Sequence, residues 1–165
     1  MRGWSTIICA GAIVLASGMR TPAEDVPYGI DQRAAPTGQD VERILPLRVG
    51  NYARSALPRG IKPSADSEIN VDYAFGRDVI NVGFGLTDSP DDAHDAIRTA
   101  KQEAEAELKR RHRTQDLARA QESIGTDPSY FKLDDFIAWS RDGYFFYAKA
   151  NSPSALDRFM TSFPY

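Results

Sequence analysis

Residues 68–86 read EINVDYAFGRDVINVGFGL, two alternating runs on either side of Gly76-Arg77. A glycine at the first central position suits a type II′ hairpin turn, because it takes a positive φ without a Cβ penalty. Folding the stretch about that pair sets Phe75 opposite Asp78, Tyr73 opposite Ile80, Val71 opposite Val82 and Ile69 opposite Phe84. Side chains alternate between faces along a strand, so these apolar residues all fall on one side. The other side collects Glu68, Asn70, Asp72 and Ala74 from the first run and Asn81, Gly83 and Gly85 from the second, with Val79 the larger apolar exception. Turn chemistry and pattern agree, and predict a half-buried antiparallel hairpin.

A second hairpin is signalled downstream by Phe136–Arg141 and Tyr144–Ala150 around Asp142-Gly143, the pair preferred in type I′ turns. Its register opposes Arg141 to Tyr144, Trp139 to Phe146 and Ile137 to Ala148, with Ala138, Phe145 and Tyr147 on the reverse side. This hairpin is apolar on both faces. It belongs at the centre of a sheet, or needs its reverse face covered by another part of the chain or by a partner.

Each hairpin leads into the same helix-start chemistry, Ser89-Pro90 after the first and Ser152-Pro153 after the second. A serine accepts a hydrogen bond from a free amide of the first turn, and proline suits the first helical position, where no amide donor is needed. The chain thus reads as two ββα units. The predicted class is α+β, a four- to five-stranded antiparallel sheet with helices packed on one face. The first helix carries a stripe at Ala93, Ile97, Ala100, Ala104 and Leu108, whose alanines permit close approach to a sheet. The stripe fails at residues 109–116 (KRRHRTQD), where the helix either protrudes or breaks. The final helix offers Leu156, Phe159, Met160 and Phe163 to the core.

Upstream, Asp40 caps an expected short helix to Leu45, and a strand is expected over residues 52–57. Residues 24–39 (EDVPYGIDQRAAPTGQ) are rich in turn formers and are expected to be a flexible leader, with the domain spanning 40–165. At the N-terminus, Arg2 precedes the ten-residue apolar run Ile7–Ala16. That run is too short to span a bilayer, which needs about 20 apolar residues. Small residues follow it, so residues 1–23 read as a cleavable signal peptide, with the cut between residues 18 and 23. Periplasmic or secreted placement is the expectation, and a retained membrane anchor the alternative. Cys9 lies inside the apolar run after Thr6-Ile7-Ile8, with no small residue just before it, which disfavours lipidation.

Loss of residues 1–23 takes Arg2 and Arg20 from the 20 basic side chains and none from the 23 acidic ones, leaving a formal net charge of −5. Such a chain repels nucleic acid and anionic lipid on average, so nucleic acid is not an expected partner. With Cys9 removed, disulfides, thiol catalysis and cysteine-ligated zinc are excluded from the mature part. The chain has no phosphate loop, no dinucleotide fingerprint and no Gly-x-Ser-x-Gly elbow, so no cofactor is expected and no catalytic residue is assigned. Asp91 and His94 stand at i and i+3 on a helix, but no third ligand completes a metal set. The neighbouring pairs Asp91-Asp92 and Asp134-Asp135 are explained by helix and strand starts, because adjacent side chains point in different directions.

Two surfaces rise above background. One is the reverse sheet face, where Gly83 and Gly85 leave a floor bare of side chains beside Asn70, Asp72 and Asn81, and where Phe145 and Tyr147 project. Such glycines mark close approach by a ligand or a backbone, or are covered by neighbouring aromatics within the fold. The other is the basic cluster Lys109, Arg110, Arg111 and Arg113, which suits a phosphate, an anionic lipid or an acidic protein, or is a solvated helix end paired with Glu103, Glu105 and Glu107. The expected role is an exported binding or interaction module, an envelope accessory whose partner is another envelope or secreted protein. A small exported hydrolase is the alternative, and a basic-patch protein touching anionic lipid or polysaccharide a third. Membrane contact is expected only through an uncleaved signal or that weak basic patch.

Overall fold

The computed structural model describes residues 26–57, 68–122 and 129–165. The proposed signal peptide lies outside the described residues.

After a 3₁₀ turn at Pro27–Gln32, the elements are α1 (Val41–Ile44), β1 (Arg48–Val49), β2 (Tyr52–Arg54), β3 (Ile69–Phe75), β4 (Asp78–Leu86) and α2 (Pro90–Arg110). Then follow α3 (Thr114–Leu117), β5 (Gln121–Glu122), β6 (Tyr130–Lys132), β7 (Phe136–Arg141), β8 (Tyr144–Ala150) and α4 (Pro153–Met160). The strands form one antiparallel sheet in the order β1-β2-β3-β4-β8-β7-β6-β5. The α+β class and the antiparallel sheet are therefore as expected. The sheet is larger than four or five strands: β2 falls within the strand expected over residues 52–57, and the short β1, β5 and β6, which carry little sequence signal, extend both edges further.

Both hairpins have the register that the alternation demands: Phe75 opposes Asp78 and Ile69 opposes Phe84 in the first, Arg141 opposes Tyr144 and Ile137 opposes Ala148 in the second. Gly76 takes φ 61°, as a Gly-first turn requires. In the second turn the positive φ falls on Asp142 (50°) and not on Gly143, so the doubly left-handed I′ turn is not formed. The hairpins meet along β4 and β8, which puts Gly83 beside Tyr147 and Gly85 beside Phe145.

The helices lie on opposite faces, not on one. On the first face, α4 buries Leu156, Phe159 and Met160 against Tyr73, Ile80 and Phe146, and Trp139 stacks on Phe146 at 5.2 Å. On the reverse face, α2 buries Ile97 against Phe131 and Ala138. The second hairpin, apolar on both sides, supplies the reason: a helix on each face removes both apolar surfaces from water. Ser89 and Ser152 cap α2 and α4, accepting from the amides of Asp92 and Ala155.

Residues 26–39 are not the free leader their composition suggests. Ile30 is only 3 % exposed in the main core. The Arg33 guanidinium donates to the carbonyls of Tyr28 (2.7 Å), Met160 (2.7 Å) and Phe163 (2.6 Å), tying the segment to the C-terminal end of the chain. Tyr144 fastens it a second time by donating to the Gly38 carbonyl at 2.6 Å. Turn formers limit regular structure, yet a buried isoleucine, a five-donor arginine and the Tyr28 and Tyr144 hydroxyls dock the irregular segment.

Candidate functional site

The reverse face is only partly covered. Ala93 and Ile97, in the first two turns of α2, are fully buried, whereas Ala100, Ala104 and Leu108 further along are half-buried. The helix lies over β6, β7 and β8, and its alanine side chains are too short to fill the space beyond Ile97. A cleft of about 1040 Å³ results, walled by the distal half of α2 and floored by β4, β7 and β8.

Its floor is a row of three rings. Tyr147 sits between Phe136, at a centroid distance of 6.3 Å, and Phe145, at 6.2 Å. The Tyr147 ring also lies over Gly83, whose missing side chain makes the space: a Cβ there would stand 2.2 Å from the ring. Gly85 lies open beside Phe145, where a Cβ would meet the ring at 3.9 Å. Burial raises the Tyr147 hydroxyl well above the usual phenol range, and the carboxylate of Glu68, which accepts its hydrogen bond, raises it further. The side chain therefore stays a neutral donor on the cleft floor.

Cations and carboxylates lie side by side along the distal end of the cleft. Arg110 (2.5 Å) and Arg111 both pair with the single carboxylate of Glu107. Lys149 on β8 acts on the same carboxylate through space, and the bonded Arg111, with Arg110 and Lys149, holds it below the usual carboxylate range. Arg113 pairs with Asp116 at 2.7 Å, and Lys109 with Glu105 at 3.7 Å. These pairs are largely exposed, so each contributes little to stability.

The helix ends within the cluster because Arg113 donates its amide to the Leu108 carbonyl (2.8 Å) and His112 to the Lys109 carbonyl (3.1 Å), with His112 at φ 56°. This is the closing pattern usually built with glycine at the left-handed position. The chain thus turns away at Arg111 and leaves the arginines at the cleft mouth.

The two surfaces suggested by the sequence are one place. Gly85, Phe145 and Tyr147 line the same cleft as Arg110, Arg111 and Arg113. Asn70, Asp72 and Asn81 do not: they occupy the open part of the reverse face, where Asn81 donates to Asp72 at 2.9 Å. Gly83 is buried beneath Tyr147, and Lys109 stands outside the lining. Sequence reasoning missed Lys149, Phe136 and the distal wall of α2; the run of small stripe residues at Ala100 and Ala104 was the available signal.

No serine, cysteine or histidine is among the described residues that line the cleft. His94 lies in the first turn of α2, its buried Nδ1 without a hydrogen-bond partner among the described residues, while Asp92 accepts from the Ser89 hydroxyl at 2.7 Å. Among the described residues no group of three or more His, Cys, Asp or Glu is placed to hold a metal ion, and no helix is long and apolar enough to cross a membrane.

Comparison of the chain with protein-family models, with curated proteins and with solved structures returned no match in any of the three. The functional reading accordingly rests on the cleft.

Proposed function

We propose that this chain is an exported binding module, active in the periplasm or after secretion, which holds its partner or ligand in the cleft between α2 and the reverse sheet face. The observation that carries the reading is the conjunction of a large concavity with an aromatic floor and a charged rim. Ligand sites are typically concave, mostly apolar and edged by a few polar groups. Here the apolar part is Phe136, Phe145, Tyr147, Ala104 and Leu108, edged by both carboxylates (Glu68, Glu103, Glu107, Asp135) and cations (Arg110, Arg111, Lys149). Export is supported by the apolar run at residues 7–16 and the small residues after it.

A neutral apolar reporter, N-phenyl-1-naphthylamine, tests the site. Its fluorescence is expected to rise saturably at one equivalent with the native protein. Thr99→Trp, at the exposed rim, and Ala104→Trp, in the wall, are expected to abolish that rise while circular dichroism and melting stay close to the native values. Undiminished reporter binding by both folded variants overturns the assignment. Mass spectrometry of the exported protein tests the processing: a mature N-terminus between Met19 and Glu24 is expected, and an intact Met1 in the membrane fraction replaces cleavage with an anchor.

A further inference from the structure

We propose that the cleft takes an uncharged, flat oligosaccharide whose ring substituents are equatorial, with a sugar ring stacked on Tyr147 and hydroxyls bonded to Glu103 on the wall and Lys149 on the floor. The assignment rests on the cleft being the binding site, and adds the chemistry of what binds there.

The floor supplies the first argument. Side chains normally stand up from a sheet, but Tyr147 leans across to the neighbouring strand: its Cε1, Cζ and hydroxyl oxygen all lie within 2.7 Å of where a Gly83 Cβ would stand. The ring is thereby laid over β4, one face on the bare backbone of Gly83 and the other toward the cleft that it lines. Its hydroxyl is pinned by hydrogen bonds with Glu68 and Asn70. Phe136 stands beside it at an interplanar angle of 26° with the centroids 6.3 Å apart, so the two near-parallel, offset rings make a shelf. An aromatic face is negative. The axial C–H bonds on the flat side of an equatorially substituted sugar ring present slight positive charge to it, as the edge of another aromatic ring would. A shelf held in place before binding costs little to order.

The lining supplies the second. Among the described residues it carries carboxylates and cations in equal number. An ion of either sign meets as much repulsion as attraction there, whereas a hydroxyl donates to a carboxylate and accepts from an ammonium or guanidinium at once. Arg110 and Arg111 already engage Glu107, and Asp116 engages Arg113. Glu103 from α2 and Lys149 from β8 bring an acceptor and a donor to the cleft from the wall and from the floor. Ala96 and Arg110, fourteen residues apart on α2, both line the cleft, which makes it about 21 Å long at the helical rise of about 1.5 Å per residue. That length suits a chain of sugar rings lying parallel to the helix, past the small side chains of Ala100 and Ala104.

Isothermal titration with cellotetraose, N-acetylchitotetraose and maltotetraose tests this on the purified protein, with displacement of N-phenyl-1-naphthylamine as a second reading. At least one of the two β-linked chains, whose linkages keep the rings in a flat ribbon, is expected to bind one to one and to displace the reporter, and the coiled maltotetraose to bind more weakly. Tyr147→Phe is expected to keep that affinity, and Tyr147→Leu to lose about tenfold, the upper end of what an aromatic contact contributes. Because the ligand has no charge, added salt is expected to leave binding unchanged. If the reporter binds and neither β-linked chain displaces it, the cleft is the site but the saccharide is refuted. Saccharide binding that maltotetraose equals, that salt abolishes, or that survives Tyr147→Leu or Thr99→Trp undiminished in folded protein refutes it as well. If neither reporter nor saccharide binds, the cleft assignment falls and this inference with it.

Discussion

Gly83→Ala is the smallest change that tests how the reverse face is built. The added Cβ would stand 2.2 Å from Cε1, 2.4 Å from Cζ and 2.7 Å from the hydroxyl oxygen of Tyr147, so the ring must leave its place over β4. Leaving it disrupts the contacts with Phe136 and Phe145 and the hydroxyl's bond to Glu68. Forcing a methyl into a filled site costs about 1–3 kcal/mol. Alanine recovers about 0.5–1 kcal/mol over glycine within a strand, because glycine loses more backbone freedom on folding. The net expectation is a loss of about 1–2 kcal/mol. In a Tyr147→Ala background the clash is gone, and the same Gly83→Ala change is expected to be neutral or stabilising by about 0.5–1 kcal/mol. Urea unfolding followed by circular dichroism reads both. With a slope of about 2 kcal/mol/M, the midpoint falls by about 0.5–1 M in the native background and holds or rises in the other. An equal fall in both backgrounds refutes the placement of Tyr147 over Gly83.

His112→Gly is expected to stabilise the fold by about 0.5–1 kcal/mol, because glycine removes the left-handed penalty at φ 56°; a lower melting temperature contradicts the helix-end geometry. Ile97→Ala is expected to cost about 2–4 kcal/mol, since Ile97 is fully buried, whereas Leu108→Ala is expected to cost less than about 1 kcal/mol and to weaken reporter binding; equal costs would mean that α2 packs uniformly along its length. Asp78 is held below its ordinary value, first by Arg158, which donates to it at 2.8 Å, and then by the Tyr52 hydroxyl at 2.9 Å. A carboxyl lowered in the folded state contributes stability that is present above its unfolded value of about 3.9 and is lost as pH falls through the folded value. Asp78→Asn is therefore expected to flatten the acid side of the pH–stability curve below about pH 4, and parallel curves for the two proteins, from urea midpoints at pH 2.5–7, argue against that role.

Local chemistry was enough for the hairpins and the helix starts. Gly76-Arg77 and Asp142-Gly143 define where the chain reverses, the two-residue period pins every cross-strand partner, and Ser89-Pro90 and Ser152-Pro153 set where helices begin. These are interactions between residues close in the chain, and their signals survive in a linear string. Of the edge strands only β2 was legible, inside the strand expected over residues 52–57; β1, β5 and β6 were not, because segments of two or three residues pair only where a neighbouring strand offers its free edge. Nor was the docking of residues 26–39, which depends on carbonyls of Met160 and Phe163 more than 120 residues away.

The candidate site divides along the same line. That Phe145 and Tyr147 share a face with Gly83 and Gly85, and that four cations cluster after Leu108, follows from alternation and composition alone. That these become the floor and the mouth of one cleft does not. It required α2 to cross to the face opposite α4, a choice made by the second hairpin's need to bury both sides, and it required the helix to lose contact with the sheet where its stripe narrows to alanine. The sequence carries the alternation because a strand's faces are set by the next residue but one. The cleft exists only once two distant surfaces compete for water and leave a space that neither fills.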